Sequence, residues 1–169
     1  TAFSVRNGVF AAMLAQEGFT SAPEPYAGIY GLHHITGPFE LRLPLDPHGR
    51  RIVEMAYIKP IPAEGNTIGI TELAPRIRAW TPLHEIESID IEVASGYEIH
   101  LADEPKYDPQ TRETADHSFP YILARALTDG GIALDSYTPE RIADPALRPL
   151  MRKIRVHGSD ELKRILSAS

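Results

Sequence analysis

Six polar side chains have the chemical types that bind an anionic small molecule or move a proton. They are Arg6, Lys59, Tyr107, Arg112, Asp116 and His117. Lysine and arginine are the usual partners of carboxylates, and a tyrosine hydroxyl can donate to a ligand or pass on a proton. Histidine titrates near neutral pH, so it can act as a general acid or base. For each residue the alternative is a purely structural place in the fold.

Lys59 stands at the end of a predicted strand over residues 50–58, directly before Pro60-Ile61-Pro62. Proline fixes its own backbone torsion, so this turn is rigid and can hold the preceding side chain at a cleft. A solvated surface lysine is the alternative, and it is the more common situation for a lysine taken alone.

Asp116 and His117 come at the start of the strongest predicted helix, residues 114–129. One interpretation is a catalytic or substrate-binding pair. The other is a brace in which the two residues, with Arg112 and Glu113, cap the helix N-terminus. The residue types alone favour the brace.

Tyr107 and Arg6 have structural alternatives of their own. Tyr107 lies in a loop between Pro105 and Pro109, where a packed tyrosine is as natural as a proton donor. Arg6 falls in a predicted helix over residues 2–17, where an exposed arginine is equally natural.

Metal chemistry has little support in the sequence. There is no cysteine, which excludes disulfides, thiolate nucleophiles and cysteine-bound clusters. His33 and His34 are adjacent but no third ligand follows at a metal-binding spacing, so we predict no metal site.

Composition indicates an ordinary water-soluble domain and excludes two classes of partner. The formal net charge is -6, which disfavours a nucleic-acid partner because binding phosphates needs a basic face. No run of about 18 apolar residues is present, so no membrane span is expected. We expect a cytoplasmic protein, or one of the mitochondrial matrix if the source is eukaryotic.

Hydrophobic periodicity predicts short helices and few strands in irregular alternation. Helices are predicted over residues 2–17, 65–79, 96–102, 114–129, 139–142, 145–151 and 159–166, and strands over 50–58, 86–94 and 153–157. This pattern predicts one α+β domain over residues 1–169, with a small mixed sheet and several helices packed on it. Because the chain begins inside a predicted helix, we expect a piece of a longer protein.

Residues 112–121, whose sequence is RETADHSFPY, resemble the most recognisable signature of the MmgE/PrpD family, which includes 2-methylcitrate dehydratase. Three other segments resemble that family in the same order. They are Arg6-Asn7-Gly8 with Ala11-Ala12, residues 59–64, and Asp144-Pro145 with Leu150-Met151 and Lys153-Ile154. The resemblance covers nearly the whole chain.

The resemblance implies the smaller domain of a two-domain fold, with both parts of a larger helical domain missing. It implies a homodimeric lyase that acts on a citrate-like tricarboxylate without any cofactor, with 2-methylcitrate dehydratase as the first expectation. Another activity of the family, such as cis-aconitate decarboxylation or epimerisation, is the alternative. A non-catalytic binding or assembly module that kept only this domain is a further alternative.

The resemblance places Lys59, Tyr107 and Arg6 at family active-site positions, and all six residues are expected to contribute to the site. Lys59, Tyr107 and His117 are expected to be catalytic, and Arg6, Arg112 and Asp116 to bind substrate. Arg6 stands where some members have a lysine. Glu64 stands where some decarboxylating members have a histidine, which argues against that activity. Asn66 stands where some methylcitrate dehydratases have a histidine, which leaves that assignment open as well.

Overall fold

The computed structural model describes residues 2–40, 54 and 56–167. The chain divides into two compact units, an N-terminal unit of Thr1–Ala56 and a C-terminal unit of Tyr57–Ser169. The strand predicted over residues 50–58 lies mostly outside the described residues, and residues 56–58 have no regular secondary structure.

The N-terminal unit contains helix α1 (Ala2–Gln16) and the short helix α2 (Leu32–Thr36). Gly18 follows α1 with a φ of 84°, in the left-handed region that glycine adopts without strain, so the predicted end of this helix is confirmed. No described side chain of α1 is buried, and its large apolar residues face solvent.

The C-terminal unit begins with a helical layer and a strand. A 3₁₀ turn (Gly65–Thr67) leads into α3 (Ile68–Trp80), which continues through Pro75 although proline lacks the N–H of one helical hydrogen bond. After a second 3₁₀ turn (Leu83–Glu85) comes strand β1 (Ile89–Ala94).

The helix predicted over residues 114–129 is two helices in the structure. These are α5 (Arg112–Ala115) and α6 (Phe119–Asp129). Helix α4 (Tyr97–Leu101) and a 3₁₀ turn (Glu104–Tyr107) come before α5 in the chain. The break has a local cause, because the Ser118 hydroxyl accepts from the Tyr121 N–H and caps a new helix. Pro120, which lacks an N–H, sits in its first turn.

The rest of the chain follows the predicted order closely. A 3₁₀ turn (Leu134–Tyr137) leads to α7 (Pro139–Ile142), and another (Pro145–Leu147) to α8 (Arg148–Met151). Strand β2 (Ile154–Ser159) and helix α9 (Asp160–Ser167) complete the described chain. The Ser159 hydroxyl accepts from the Leu162 N–H at 3.4 Å, as expected of the predicted cap.

The two strands form a parallel sheet, with Ile89 opposite Ile154 and Ala94 opposite Ser159. Parallel pairing requires a long crossover, and here the crossover carries helices α4 to α8. The alternation predicted for β1 is confirmed, since Ile89 and Ile91 are half-buried while Asp90 and Glu92 are exposed.

Helix α6 is the centre of the C-terminal unit. Every residue from Phe119 to Leu127 is buried, and the helix packs against α3, α8 and β2. Burial of each large apolar side chain stabilises the fold by about 1.5–3 kcal/mol, so this helix anchors the elements around it. A small sheet with helices packed around it is the predicted α+β class, which is confirmed.

Candidate active site

Lys59 lines an open cleft of ≈ 570 Å³ within the C-terminal unit. The cleft is formed by Ile58, Lys59, Pro60, Ile61, Pro62, Ala63, Asp116 and Leu134. The Lys59 ammonium donates to the Ala63 carbonyl at 3.0 Å, so the side chain folds back over the proline turn. Lys59 is exposed and lies in the wall of this cleft beside the proline turn.

A backbone hydrogen bond docks the Lys59 turn onto the segment 112–121. The Glu64 N–H donates to the Asp116 carbonyl at 3.2 Å, and Ala63 beside it is buried. The carboxylate of Glu64 accepts hydrogen bonds from the backbone and side-chain nitrogens of Asn66, at 2.8 and 2.9 Å. The two parts of the cleft, distant in sequence, are thus joined directly.

Asp116 and His117 form a close pair at this junction. The Asp116 Oδ1 and His117 Nδ1 atoms are 2.5 Å apart, and the histidine side chain is 60% exposed. A carboxylate that accepts from Nδ1–H leaves Nε2 as the basic nitrogen of the ring. In that tautomer, Nε2 is the ring nitrogen that can accept a hydrogen bond.

The helix caps on either side of the pair come from other residues. The Thr111 hydroxyl accepts from the Thr114 N–H and caps α5, and Ser118 caps α6. Asp116 and His117 lie between the two helices, so their side chains are not used as caps.

The remaining predicted residues lie elsewhere in the structure. Arg112 is the exposed first residue of α5, and Arg6 lies on α1 of the N-terminal unit. Tyr107 does not line the Lys59 cleft; its hydroxyl donates to the Ile154 carbonyl at 3.0 Å. Burial raises the pKa of the Tyr107 phenol, although the guanidinium of Arg152, 5.2 Å from the ring centre, lowers it.

Two residues near the cleft were missed by the sequence argument. Ser118 links α6 to the preceding loop, because its hydroxyl also donates to the Lys106 carbonyl at 2.6 Å. A serine two residues before a proline is typical of a helix start, so Ser118 and Pro120 could have indicated the beginning of α6. Tyr137 is buried, and burial raises the pKa of its phenol, which the Asp116 charge raises further. No sequence pattern marks this burial.

A second depression of ≈ 460 Å³ lies at the end of β1 and α4, between Tyr97, His100 and Lys163. None of the six predicted residues lines it, and its wall is largely apolar. We favour the Lys59 cleft because Lys59 and Asp116 both line it and His117 is bonded to that aspartate.

Two further surveys cover only the part of the chain that the structure describes. Within it, no three His, Asp or Glu side chains converge as metal ligands, and His33 packs edge-on against the Phe39 ring with centroids 5.0 Å apart. Over the same residues, no helix combines the length and the apolar character that crossing a bilayer requires.

The fold and the cleft define an α+β domain in which Lys59 and Asp116 line one cleft and His117 is bonded to that aspartate. A family model described as the MmgE/PrpD C-terminal domain matches residues 62–168. The chain therefore belongs to the MmgE/PrpD family, which includes dehydratases and other lyases. The match covers Tyr107, Arg112, Asp116 and His117, whereas Lys59 lies just before its first residue.

Proposed function

We propose that this chain is part of a carbon–oxygen lyase that dehydrates a citrate-like tricarboxylate, with 2-methylcitrate as the substrate. One observation carries the proposal: Lys59 and Asp116, distant in sequence, line the same cleft, with His117 bonded to that aspartate. Membership of the MmgE/PrpD family supports the reaction class.

The first role is the binding of substrate carboxylate by Lys59. Its ammonium has one hydrogen bond to the Ala63 carbonyl, and an ammonium carries three donors. The remaining donors are available to a carboxylate whose α-carbon becomes negatively charged as its proton leaves. Stabilising that developing charge lowers the barrier more than it strengthens ground-state binding.

The second role is proton transfer by His117. Dehydration breaks a C–H bond next to a carboxylate and a C–O bond on the adjacent carbon. In the proposal, Nε2 of His117 takes the proton, and the electron pair of the C–H bond forms the double bond. The hydroxyl leaves as water once an acid protonates it.

The acid that protonates the leaving hydroxyl is assigned by proposal to Tyr107, with Arg6 and Arg112 as further carboxylate contacts. The Tyr107 hydroxyl would have to exchange the Ile154 carbonyl for substrate. The cleft is open in this unit, and we propose that a helical domain completes it in a homodimeric protein.

The position of Glu64 favours dehydration over decarboxylation of cis-aconitate. Both of its carboxylate oxygens accept from Asn66, so this side chain serves the 3₁₀ turn that follows Lys59. It offers no imidazole of the kind that the decarboxylating members place there. We therefore propose a dehydratase.

A substrate comparison tests the proposed function. The native gene product is incubated with 2-methylcitrate and with cis-aconitate, and alkene formation and carbon dioxide release are both followed. The proposal predicts ultraviolet absorbance from the unsaturated product of 2-methylcitrate, indifferent to a chelator. Carbon dioxide from cis-aconitate would instead make the protein a decarboxylase. No turnover of either acid would favour the non-catalytic binding module.

A further inference from the structure

Leu134 is an exposed apolar residue in the wall of the Lys59 cleft. Its side chain is 68% exposed, although Ile132 before it and Tyr137 after it are buried. It lines the cleft together with Asp116. A single exposed leucine is common on protein surfaces, so its place in this cleft, rather than its exposure, indicates a role.

The backbone that carries Leu134 is held by buried groups. Leu134 opens the 3₁₀ turn Leu134–Tyr137, and Ser136 in that turn is buried. The Ser136 hydroxyl accepts from the Ala133 N–H at 3.0 Å, and the Ser136 carbonyl accepts from the Tyr121 hydroxyl at 2.5 Å. Because Tyr121 belongs to the central helix α6, the turn is tied to the core and holds Leu134 at a defined place.

Three branched apolar side chains line the cleft, and they differ in what they can contact. Ile61 is half-buried and packs against the core. Ile58 is 95% exposed, so the protein around it does little to hold it in place. Of the three, Leu134 is the side chain that is both accessible to a ligand and carried by a turn tied to the core.

The proposed substrate has one apolar substituent, and that substituent is on the reacting carbon. In 2-methylcitrate the carbon that loses its proton also carries a carboxylate and a methyl group. In the proposed function, Lys59 holds that carboxylate and His117 takes that proton, which leaves the methyl group without a contact. Contact with an apolar side chain would favour its binding, because removing apolar surface from water is favourable.

We propose that Leu134 is a specificity-determining residue whose side chain contacts the alkyl substituent of the substrate. Three substituents of one carbon then have separate partners: the carboxylate at Lys59, the proton at His117 and the methyl group at Leu134. This inference rests on the proposed function and narrows the substrate class to alkyl-substituted tricarboxylates, with citrate itself disfavoured.

A comparison of 2-methylcitrate with citrate tests the inference. kcat/KM is measured for both acids with the native gene product and with Leu134→Ala. The substitution should lower kcat/KM for 2-methylcitrate by about 10-fold, the low end of what one methylene is worth in a hydrophobic pocket. It should change kcat/KM for citrate little, because citrate has no methyl group to lose. No preference for 2-methylcitrate in the native gene product, or a preference that Leu134→Ala keeps, overturns the inference.

Two substitutions of similar size separate the apolar contact from a structural role of the leucine. Leu134→Met keeps an apolar side chain of similar volume and should retain the preference for 2-methylcitrate. Leu134→Asn introduces a polar amide of similar size and should lose the preference as Leu134→Ala does. An undiminished preference in Leu134→Asn would contradict an apolar contact.

Leu166→Ala is the matched control. Leu166 is also an exposed leucine, at 60%, but it lines the other depression. The variant removes the same atoms as Leu134→Ala and should leave kcat/KM for both acids unchanged. An equal loss of the preference in both variants would show that the effect is not specific to the Lys59 cleft and would overturn the inference.

Binding separates this inference from the proposed function, because it needs no turnover. Calorimetry gives the Kd of 2-methylcitrate and of citrate for the native gene product and for Leu134→Ala. A binding preference for 2-methylcitrate that Leu134→Ala loses, in a protein that dehydrates neither acid, would keep the contact and reject the lyase. Dehydration of 2-methylcitrate with the same preference in both proteins would keep the lyase and reject the contact. Binding of neither acid would overturn both.

Discussion

Asp116 joins two parts of the candidate site with different groups. Its backbone carbonyl accepts from the Glu64 N–H and docks the Lys59 turn, while its side chain accepts from the His117 imidazole. A substitution of the Asp116 side chain therefore removes the contact with His117 and keeps the backbone hydrogen bond that holds the Lys59 turn.

Asp116→Ala should release His117 from its present orientation. Without the acceptor at Nδ1, the imidazole loses its bias toward the Nδ1–H tautomer, which nitrogen-15 NMR measures directly. Turnover should fall by about 10²-fold or more, the low end of what general acid–base catalysis contributes.

Asp90→Ala is the matched control, because Asp90 Oδ1 lies 3.3 Å from Nε2 of His157 on the exposed sheet surface. That variant should alter the His157 resonances and leave His117 and turnover alone. A normal His117 spectrum in Asp116→Ala would show that the short contact does not orient the ring.

At the level of single residues, the sequence pointed to Lys59 and Asp116, which line one cleft, better than to the residues packed around them. Lys59 at a proline turn was recognisable because proline restricts the backbone on its own. The burial of Tyr137 was not, because it depends on how the turn that carries it packs after the chain has folded.

Among the secondary-structure elements, helix α6 begins at a buried cap, Ser118. Ser118 is fully buried, and its hydroxyl both accepts from the Tyr121 N–H and donates to the Lys106 carbonyl. The cap thus starts the central helix and ties it to the loop before α5.

Ser118→Ala should lower the free energy of unfolding by about 1–3 kcal/mol, since it removes a cap and leaves a carbonyl unpaired. Urea denaturation with an unchanged m-value measures it. Thr111→Ala, which removes the exposed cap of the four-residue helix α5, should cost less than about 1 kcal/mol. Equal losses in the two variants would contradict the central role of Ser118.

Most helices and both described strands were predictable because their signals are local. The prediction of one helix over residues 114–129 was wrong in one respect. The apolar spacing indicated a single continuous helix, whereas Ser118 and Pro120 start a new one. The parallel pairing of β1 with β2 was not predictable from either strand, since it depends on a crossover of five helices.

For the C-terminal unit as a whole, buried tyrosines set the response to alkali. Burial raises the pKa of Tyr107, Tyr121 and Tyr137 above 10.0, the usual value for a tyrosine. As the pH rises through about 10, the unfolded chain loses these protons before the folded protein does. The stabilisation is therefore complete below about pH 10 and is lost progressively above it.

Tyr137→Phe should make the stability of the protein less sensitive to alkaline pH. Tm is measured from about pH 8 to about pH 11, and the loss of Tm over the upper half of that range should be smaller than in the parent protein. Tyr30→Phe is the control, because Tyr30 is 98% exposed and should leave the profile unchanged. Superimposable profiles for Tyr137→Phe and the parent would contradict the raised pKa.

The central claim is that the Lys59 cleft is where the substrate's carboxylate is held. The most direct measurement is the turnover of 2-methylcitrate by the native gene product with Lys59→Ala, beside Lys163→Ala, an exposed lysine at the other depression. We predict that Lys59→Ala lowers kcat/KM by about 10²-fold or more while Lys163→Ala retains full activity. Full dehydratase activity in Lys59→Ala would place the chemistry elsewhere in the protein and contradict the account.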